Sequence, residues 1–190
     1  MKNKADLKKE LQKRLKPGRY RHSVGVAETA VKLAKRFAVD EDKAYLAGLL
    51  HDCAREFPNE NMVAEAKKRN ISFSAIEEKM PILLHAYIGA KLINEVYGID
   101  DEEISMAIYA HTVGNKNMSK LDKIIYLADM IEPNRDYPEV VKLRKMAKEN
   151  TLDEIMLTAL TESIIYVAQR NLLIHPMTIE ARNELILANS

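Results

Sequence analysis

The stretch Gly48-Leu49-Leu50-His51-Asp52-Cys53-Ala54-Arg55, GLLHDCAR, poses the question on which the fold turns. Apolar residues dominate from Ala44 to Leu50 and then give way to a histidine and an aspartate. Both groups resist apolar surroundings, so a core helix ends on them only if its last turn meets something polar. Adjacent residues on a helix are only about 100° apart, from 3.6 residues per turn. His51 and Asp52 can therefore face one site.

The same periodicity extends to either side of this stretch. Leu7, Leu11 and Leu15 recur every four residues until Pro17-Gly18 interrupt them, and His22, Val26, Ala30, Leu33 and Phe37 continue a helical stripe. Asp40 or Asp42 begins a helix that runs to about Cys53. Pro58-Asn59-Glu60 restarts one through Arg69, and Ser72 to Pro81 reads as a connector. A helix from about Ile82 to Tyr97 is closed by Gly98, and a shorter one spans Asp101 to Ala110. Ser119-Lys120-Leu121-Asp122 forms a capping box with Asp in the place of Glu and opens a helix to about Ile131. Residues 132–138 form a loop with two prolines, and helix resumes at Glu139. Thr151-Leu152-Asp153-Glu154 is a second capping box leading a long helix to about Leu173. His175-Pro176 break it, and Thr178 to Leu187 add a tail helix. No alternating strand and no repeat is visible. The expectation is an all-α single domain over residues 1–190, with an N-terminal helix within 1–16.

Composition narrows the function classes. A chain of 190 residues with 47% hydrophobic and 30% charged residues has the make-up of one ordinary globular domain. A net charge of +1 gives no bulk attraction to nucleic acid or to a membrane surface, so neither is expected as a partner. The lysines between Lys2 and Lys16 read as a solvated helix face. The single Cys53 excludes an internal disulfide framework and a cysteine-rich zinc site, and it suits a reducing compartment. No apolar run reaches the ~20 residues that span a bilayer. The start MKNKADLKKE lacks the apolar middle of a signal peptide, so the expected location is the cytoplasm.

Five histidines are present: His22, His51, His85, His111 and His175. The first four fall near the ends of separate expected helices, with His22 opening the second, His51 closing the third, His85 in the first turns of another and His111 closing the next. Asp129 follows Ile124, Ile125 and Leu127, where an aspartate is costly unless paired or metal-bound. Imidazole and carboxylate together suit iron, manganese or zinc. Four histidines with Asp52 and Asp129 suffice for two ions bridged by one carboxylate, gathered from several helices of a bundle.

The ordered set His, His-Asp, His, His, Asp resembles the HD superfamily of metal-dependent phosphohydrolases, and in detail its YqeK-type branch of symmetrical diadenosine tetraphosphate hydrolases. The resemblance covers about 19–183. It is carried by RYRHSVGVAETA (19–30), LAGLLHDCARE (46–56), LLHAYIGA (83–90), AIYAHTVG (107–114), LDKIIYLADMIEPNRDYP (121–138) and LLIHPMTIEARN (172–183). It implies an HD-type helical bundle with a metal site between helices. His22, His51, Asp52 and Asp129 are implied to hold one ion, Asp52 to bridge, and His85 and His111 to complete the second site. It further implies an iron cofactor, most often a diiron pair, with manganese or another divalent transition metal as alternatives, and a homodimer. The chain departs from the family pattern at Cys53, at Arg55 where lysine is common, and at Met130; none of these removes a ligand.

The implied reaction is phosphoanhydride hydrolysis. A hydroxide held by the metals attacks an inner phosphorus in line, with His51, Asp52 and Asp129 as the catalytic set, and diadenosine tetraphosphate gives two ADP. Arg19, Arg55 and Arg135 are the candidate phosphate donors, with Ser23 and Thr112 as hydroxyl partners. His175 is either a nucleotide contact or a turn pinned by Pro176, and Glu132 either orients a metal ligand or solvates its loop. Tyr20, Tyr87 and Tyr109 sit at spacings expected for packing. Other readings are a different HD hydrolase acting on mononucleotides or alarmones, a non-catalytic metal and nucleotide sensor, and a helical scaffold.

Overall fold

Asn3, Asp40, Ser74, Asp101, Ser119 and Thr151 each turn a side-chain oxygen onto the backbone N–H groups of a helix's first turn. Such caps satisfy donors that the helix itself leaves unpaired, and they set where the chain coils. The computed structural model describes residues 3–188; Met1 and Lys2 of the expected N-terminal helix, and the last two residues of the expected domain, lie outside the described residues. In order, the helices are α1 (Lys4–Arg14), α2 (Pro17–Phe37), α3 (Glu41–Leu50), α4 (Met62–Lys68), α5 (Ala75–Lys79), α6 (Leu84–Tyr97), α7 (Glu102–Ala110), α8 (Lys120–Ile131), α9 (Val140–Glu149), α10 (Leu152–Gln169) and α11 (Pro176–Ala188). Short 3-10 turns cover Cys53–Glu56, Asn59–Asn61 and Pro81–Leu83. No strand occurs among the described residues, and no helix among them is long and apolar enough to cross a membrane.

The core lies where α2, α3, α7 and α8 pack together, with α6 laid on α7. Val26, Leu49, Leu50, Ile88, Ile108, Ile124 and Ile125 are fully buried there. Small residues set the closest approach. A Cβ added at Gly48 would stand 2.9 Å from the Ala27 Cα, so α2 and α3 meet almost backbone to backbone. That closeness brings the middle of α2 beside the end of α3, where His51 and Asp52 follow.

Five details differ from the expected elements. α2 begins at Pro17, because proline at the first helical position sacrifices no hydrogen bond. His22 therefore lies in the second turn rather than opening the helix. α3 stops at Leu50, and the chain continues through His51 and Asp52 into a 3-10 turn. The expected connector at 72–81 contains α5, whose capping box pairs Ser74 with Glu77. α10 ends at Gln169 instead of Leu173, since Asn171 adopts a left-handed conformation with φ +52° that closes the helix. The tail helix starts at Pro176, two residues before Thr178, so this proline begins a helix rather than only breaking one. Gly98, with φ +69°, closes α6 as expected.

Candidate metal centre

Each ligand-type side chain enters from its own element. α2 supplies His22, the end of α3 supplies His51 and Asp52, the first turn of α6 His85, the end of α7 His111, and the last turns of α8 Asp129. All six converge. His22 Nε2 lies 2.9 Å from Asp129 Oδ1 and 3.2 Å from His51 Nε2. His85 Nε2 lies 3.0 Å from His111 Nε2. Asp52 stands between the two pairs. Its Oδ2 is 3.8 Å from His22 Nε2 and 3.5 Å from His51 Nε2, while its Oδ1 is 3.2 Å from His85 Nε2 and 4.0 Å from His111 Nε2.

The rings are turned to present Nε2 inward. Nδ1 of His51 donates to the Gly48 carbonyl at 2.8 Å, that of His111 to Ile108 at 2.6 Å, and that of His85 to Ile82. Each acceptor is three residues earlier, within reach because these histidines sit at helix ends. A donor role at Nδ1 leaves Nε2 with a free lone pair, the form that binds a metal.

Burial disfavours charge on Asp52 and Asp129, yet their partners prevail. His51 and His85 hold the Asp52 carboxyl well below the ordinary carboxylate range, and His22, His51 and Arg135 do the same for Asp129. His111 is pushed down to about 3, by burial first and then by its neighbours His51 and His85, so its imidazole is neutral. His51 is pushed the other way: burial disfavours its charge, but Asp52 and Asp129 outweigh it, so a divalent ion would take the place of a proton there. The donor atoms of His22, His51 and Asp129 lie within 4.8 Å of one another, as do those of His51, Asp52 and His111. The nitrogen and oxygen set fits a transition metal. Cys53 takes no part: its Sγ is buried 3.9 Å from the Gly89 carbonyl oxygen, and burial raises its pKa.

Three of the expected phosphate donors border this cluster. Arg19 Nη1 donates to Asp52 Oδ2 at 2.7 Å. Arg135 donates from Nε to the Asp129 carbonyl at 2.8 Å, and from Nη2 to its carboxylate. Arg55 is half-buried near Asp52, Arg19 and Asp129; its backbone N–H donates to the Asp52 carbonyl at 2.9 Å, while its guanidinium makes no hydrogen bond among the described residues. Thr112 Oγ1 stands 3.1 Å from His111 Nε2 and 3.3 Å from His85 Nε2.

Two other candidate contacts, Ser23 and His175, lie in different surroundings. Ser23 is fully buried and its Oγ has no hydrogen-bond partner. Both ring nitrogens of His175 are committed within the protein: Nε2 lies 3.0 Å from Glu77 Oε1, and Nδ1 accepts from the Met177 N–H at 3.2 Å. These contacts pin the turn at the start of α11. Tyr87 and Tyr109 stack on each other at 4.5 Å, consistent with packing.

A cleft of about 650 Å³ opens beside the cluster, lined by Thr112, Tyr126, Met130, Arg135, Tyr137 and Tyr166 among others. Its mostly apolar wall and few polar groups are those of a small-molecule pocket. Sequence reasoning missed this cleft because its aromatic residues come from three elements and share no local period. It also left open Glu132, which is buried and receives His22 Nδ1 at 3.0 Å.

Residues 19–134 match the HD domain family. A relative from Halalkalibacterium halodurans named symmetrical bis(5'-nucleosyl)-tetraphosphatase is 41% identical over 169 residues, 89% of each chain. One of the same name from Bacillus subtilis is 36% identical over 176 residues, 93% of this chain and 94% of its own. A crystal structure from Clostridium acetobutylicum, described as a predicted HD superfamily hydrolase involved in NAD metabolism, superposes with a TM-score of 0.94 at 40% identity, covering 99% of both chains.

Proposed function

Because the chain belongs to the HD domain family, we propose that it is a metal-dependent hydrolase that cuts dinucleoside tetraphosphates symmetrically, giving two ADP from diadenosine tetraphosphate. The observation that carries the reading is Asp52, whose two carboxylate oxygens face two separate histidine pairs. That is the placement of a bridging ligand. His22, His51 and Asp129 would complete one ion's protein ligands, and His85 and His111 the other's. Divalent ions bound there supply charge neutralisation at the phosphates and a more acidic water.

The chain's own residues then divide the remaining work. Arg135 and Arg19 border the cluster, donating to Asp129 and Asp52, and each planar guanidinium carries further N–H groups suited to phosphate oxygens. Arg55 adds a third guanidinium, and Thr112 a hydroxyl beside His85 and His111. The adjoining cleft is of a size to take one nucleoside. The departing ADP is a stable anion, so the chain need not position a strong acid behind it. Iron is our reading of the ion, supported by four imidazoles and two carboxylates with no thiolate among them, a set that manganese also accepts. A cytoplasmic location is our further reading, supported by the lone buried cysteine.

Product analysis tests the assignment. Diadenosine tetraphosphate incubated with metal-loaded protein in heavy-oxygen water should yield ADP alone, half of it labelled. AMP plus ATP would contradict the symmetrical cut. Asp52→Asn should lower turnover by about a hundredfold or more, the scale of losing one preorganised charge at a reaction centre, with far-ultraviolet circular dichroism unchanged.

A further inference from the structure

His22 is oriented differently from the other three histidines. His51, His85 and His111 each donate Nδ1–H to a neutral backbone carbonyl three residues earlier on their own segment. His22 lies inside α2, and its Nδ1 meets the Glu132 carboxylate instead, from a residue 110 positions away. Glu132 is the residue that ends α8, three positions after Asp129, and only 1% of it is exposed.

The carboxylate is fully occupied. Oε1 accepts from His22 at 3.0 Å, while Oε2 accepts from the backbone N–H of Asn134 at 2.7 Å and from its Nδ2 at 2.8 Å. Arg144 of α9 holds the loop in turn, donating to the carbonyls of Ile131 at 2.9 Å, Glu132 at 2.6 Å and Arg135 at 3.0 Å. Gly25 supplies the space. A Cβ at that position would lie 2.6 Å from Glu132 Oε2 and 3.3 Å from Asn134 Nδ2. Residues 22 and 25 are three apart on α2 and share a face. The glycine thus leaves room for the carboxylate on the same face from which His22 reaches the cluster.

We propose that Glu132 is a positioning residue for the metal centre, fixing the tautomer and aim of His22, and that Gly25 is the small residue that admits it. The inference rests on the metal reading above. A carboxylate behind a ligating imidazole makes the ring a stronger donor than a neutral carbonyl does, and loss of such a partner typically weakens metal binding about 10–100-fold.

Metal dissociation constants tell the two readings apart, measured by chelator competition on the full chain with Fe(II) and Mn(II). Glu132→Ala should bind at least one ion about tenfold or more weakly than the parent. Glu132→Gln should fall between them, since its one oxygen can still accept from His22 while its amide then faces the two donors of Asn134. Gly25→Ala, with Glu132 intact, should reproduce the defect, and the double variant should bind no more weakly than Glu132→Ala alone. Unfolding midpoints taken in chelator identify any variant that fails to fold; Gly25→Ala and Glu132→Gln then carry the comparison. If the folded variants bind metal within twofold of the parent, the positioning role is overturned while the metal reading stands. If the double variant is additive, Gly25 acts independently of Glu132 and its part is overturned. If the parent binds no metal, both readings fail.

Discussion

Asp52 has to serve two directions from one side chain, and the backbone explains how it can. His51 retains helical dihedrals, whereas Asp52 has φ −103° and ψ 15° and has left the helix. Its carboxylate can therefore stand between the pair from α2 and α3 and the pair from α6 and α7. Ser23 shows the opposite outcome. It follows His22 inside a continuous helix, where about 100° of rotation carries its hydroxyl into the core. The six ligand-type residues were legible because imidazoles and carboxylates at the ends of apolar helices demand a reason. Which neighbour shares the site was not, since that depends on where each helix stops. Arg55 gives a prediction at this scale. Its guanidinium makes no hydrogen bond among the described residues, so truncation breaks nothing internal. Arg55→Ala should raise KM for diadenosine tetraphosphate about tenfold, from the loss of a charge-assisted contact, and leave the thermal midpoint within a degree or two. An unchanged KM would remove Arg55 from the phosphate site.

At the scale of elements, the short helix α5 shows what a periodicity search passes over. Five residues are too few to display a stripe, yet Ser74 and Glu77 form a complete capping box. Glu77 also ties α5 to two distant elements: Oε1 lies 3.0 Å from His175 Nε2 at the start of α11 and accepts from the Tyr87 hydroxyl of α6 at 3.1 Å. The capping letters were readable in Ser72 to Pro81, but the long-range partners were not, because nothing local links positions 77 and 175. Burial opposes the Glu77 charge, but bonds from Ser74 and His175 outweigh it and hold the carboxyl down at about 2, below its ordinary 4.5. The unfolded chain therefore binds the proton more readily, and stability from this group is complete above about pH 4.5 and lost as pH falls through about 2. Glu77→Gln should destabilise by roughly 1.5–3 kcal/mol at pH 7. In urea titrations its gap to the parent should narrow between pH 5 and pH 3. A gap independent of pH would refute the ionised pairing.

For the whole molecule, the bundle was legible from its helices, yet the cleft and the outer surface were not, since both depend on how α8, α10 and the 132–138 loop pack. Ile165, Tyr166, Leu172 and Leu173 are 43–55% exposed along the end of α10 and the segment after it. Exposed apolar side chains of this kind mark ligand grooves or association surfaces, and Ile165, Tyr166 and Leu173 line the cleft itself. The homodimer implied by the family resemblance is a separate proposal: sedimentation velocity should give twice the chain mass, and a single-chain mass would exclude it. Five elements bring ligand-type side chains together, and a pair of ions would be held among them. Anomalous diffraction from crystals of the metal-loaded protein tests it most directly. Two anomalous peaks are expected, one in reach of His22, His51, Asp52 and Asp129 and the other in reach of Asp52, His85 and His111, strongest above the iron absorption edge. Crystals of active protein with no anomalous peak among these side chains would rule out the paired ions.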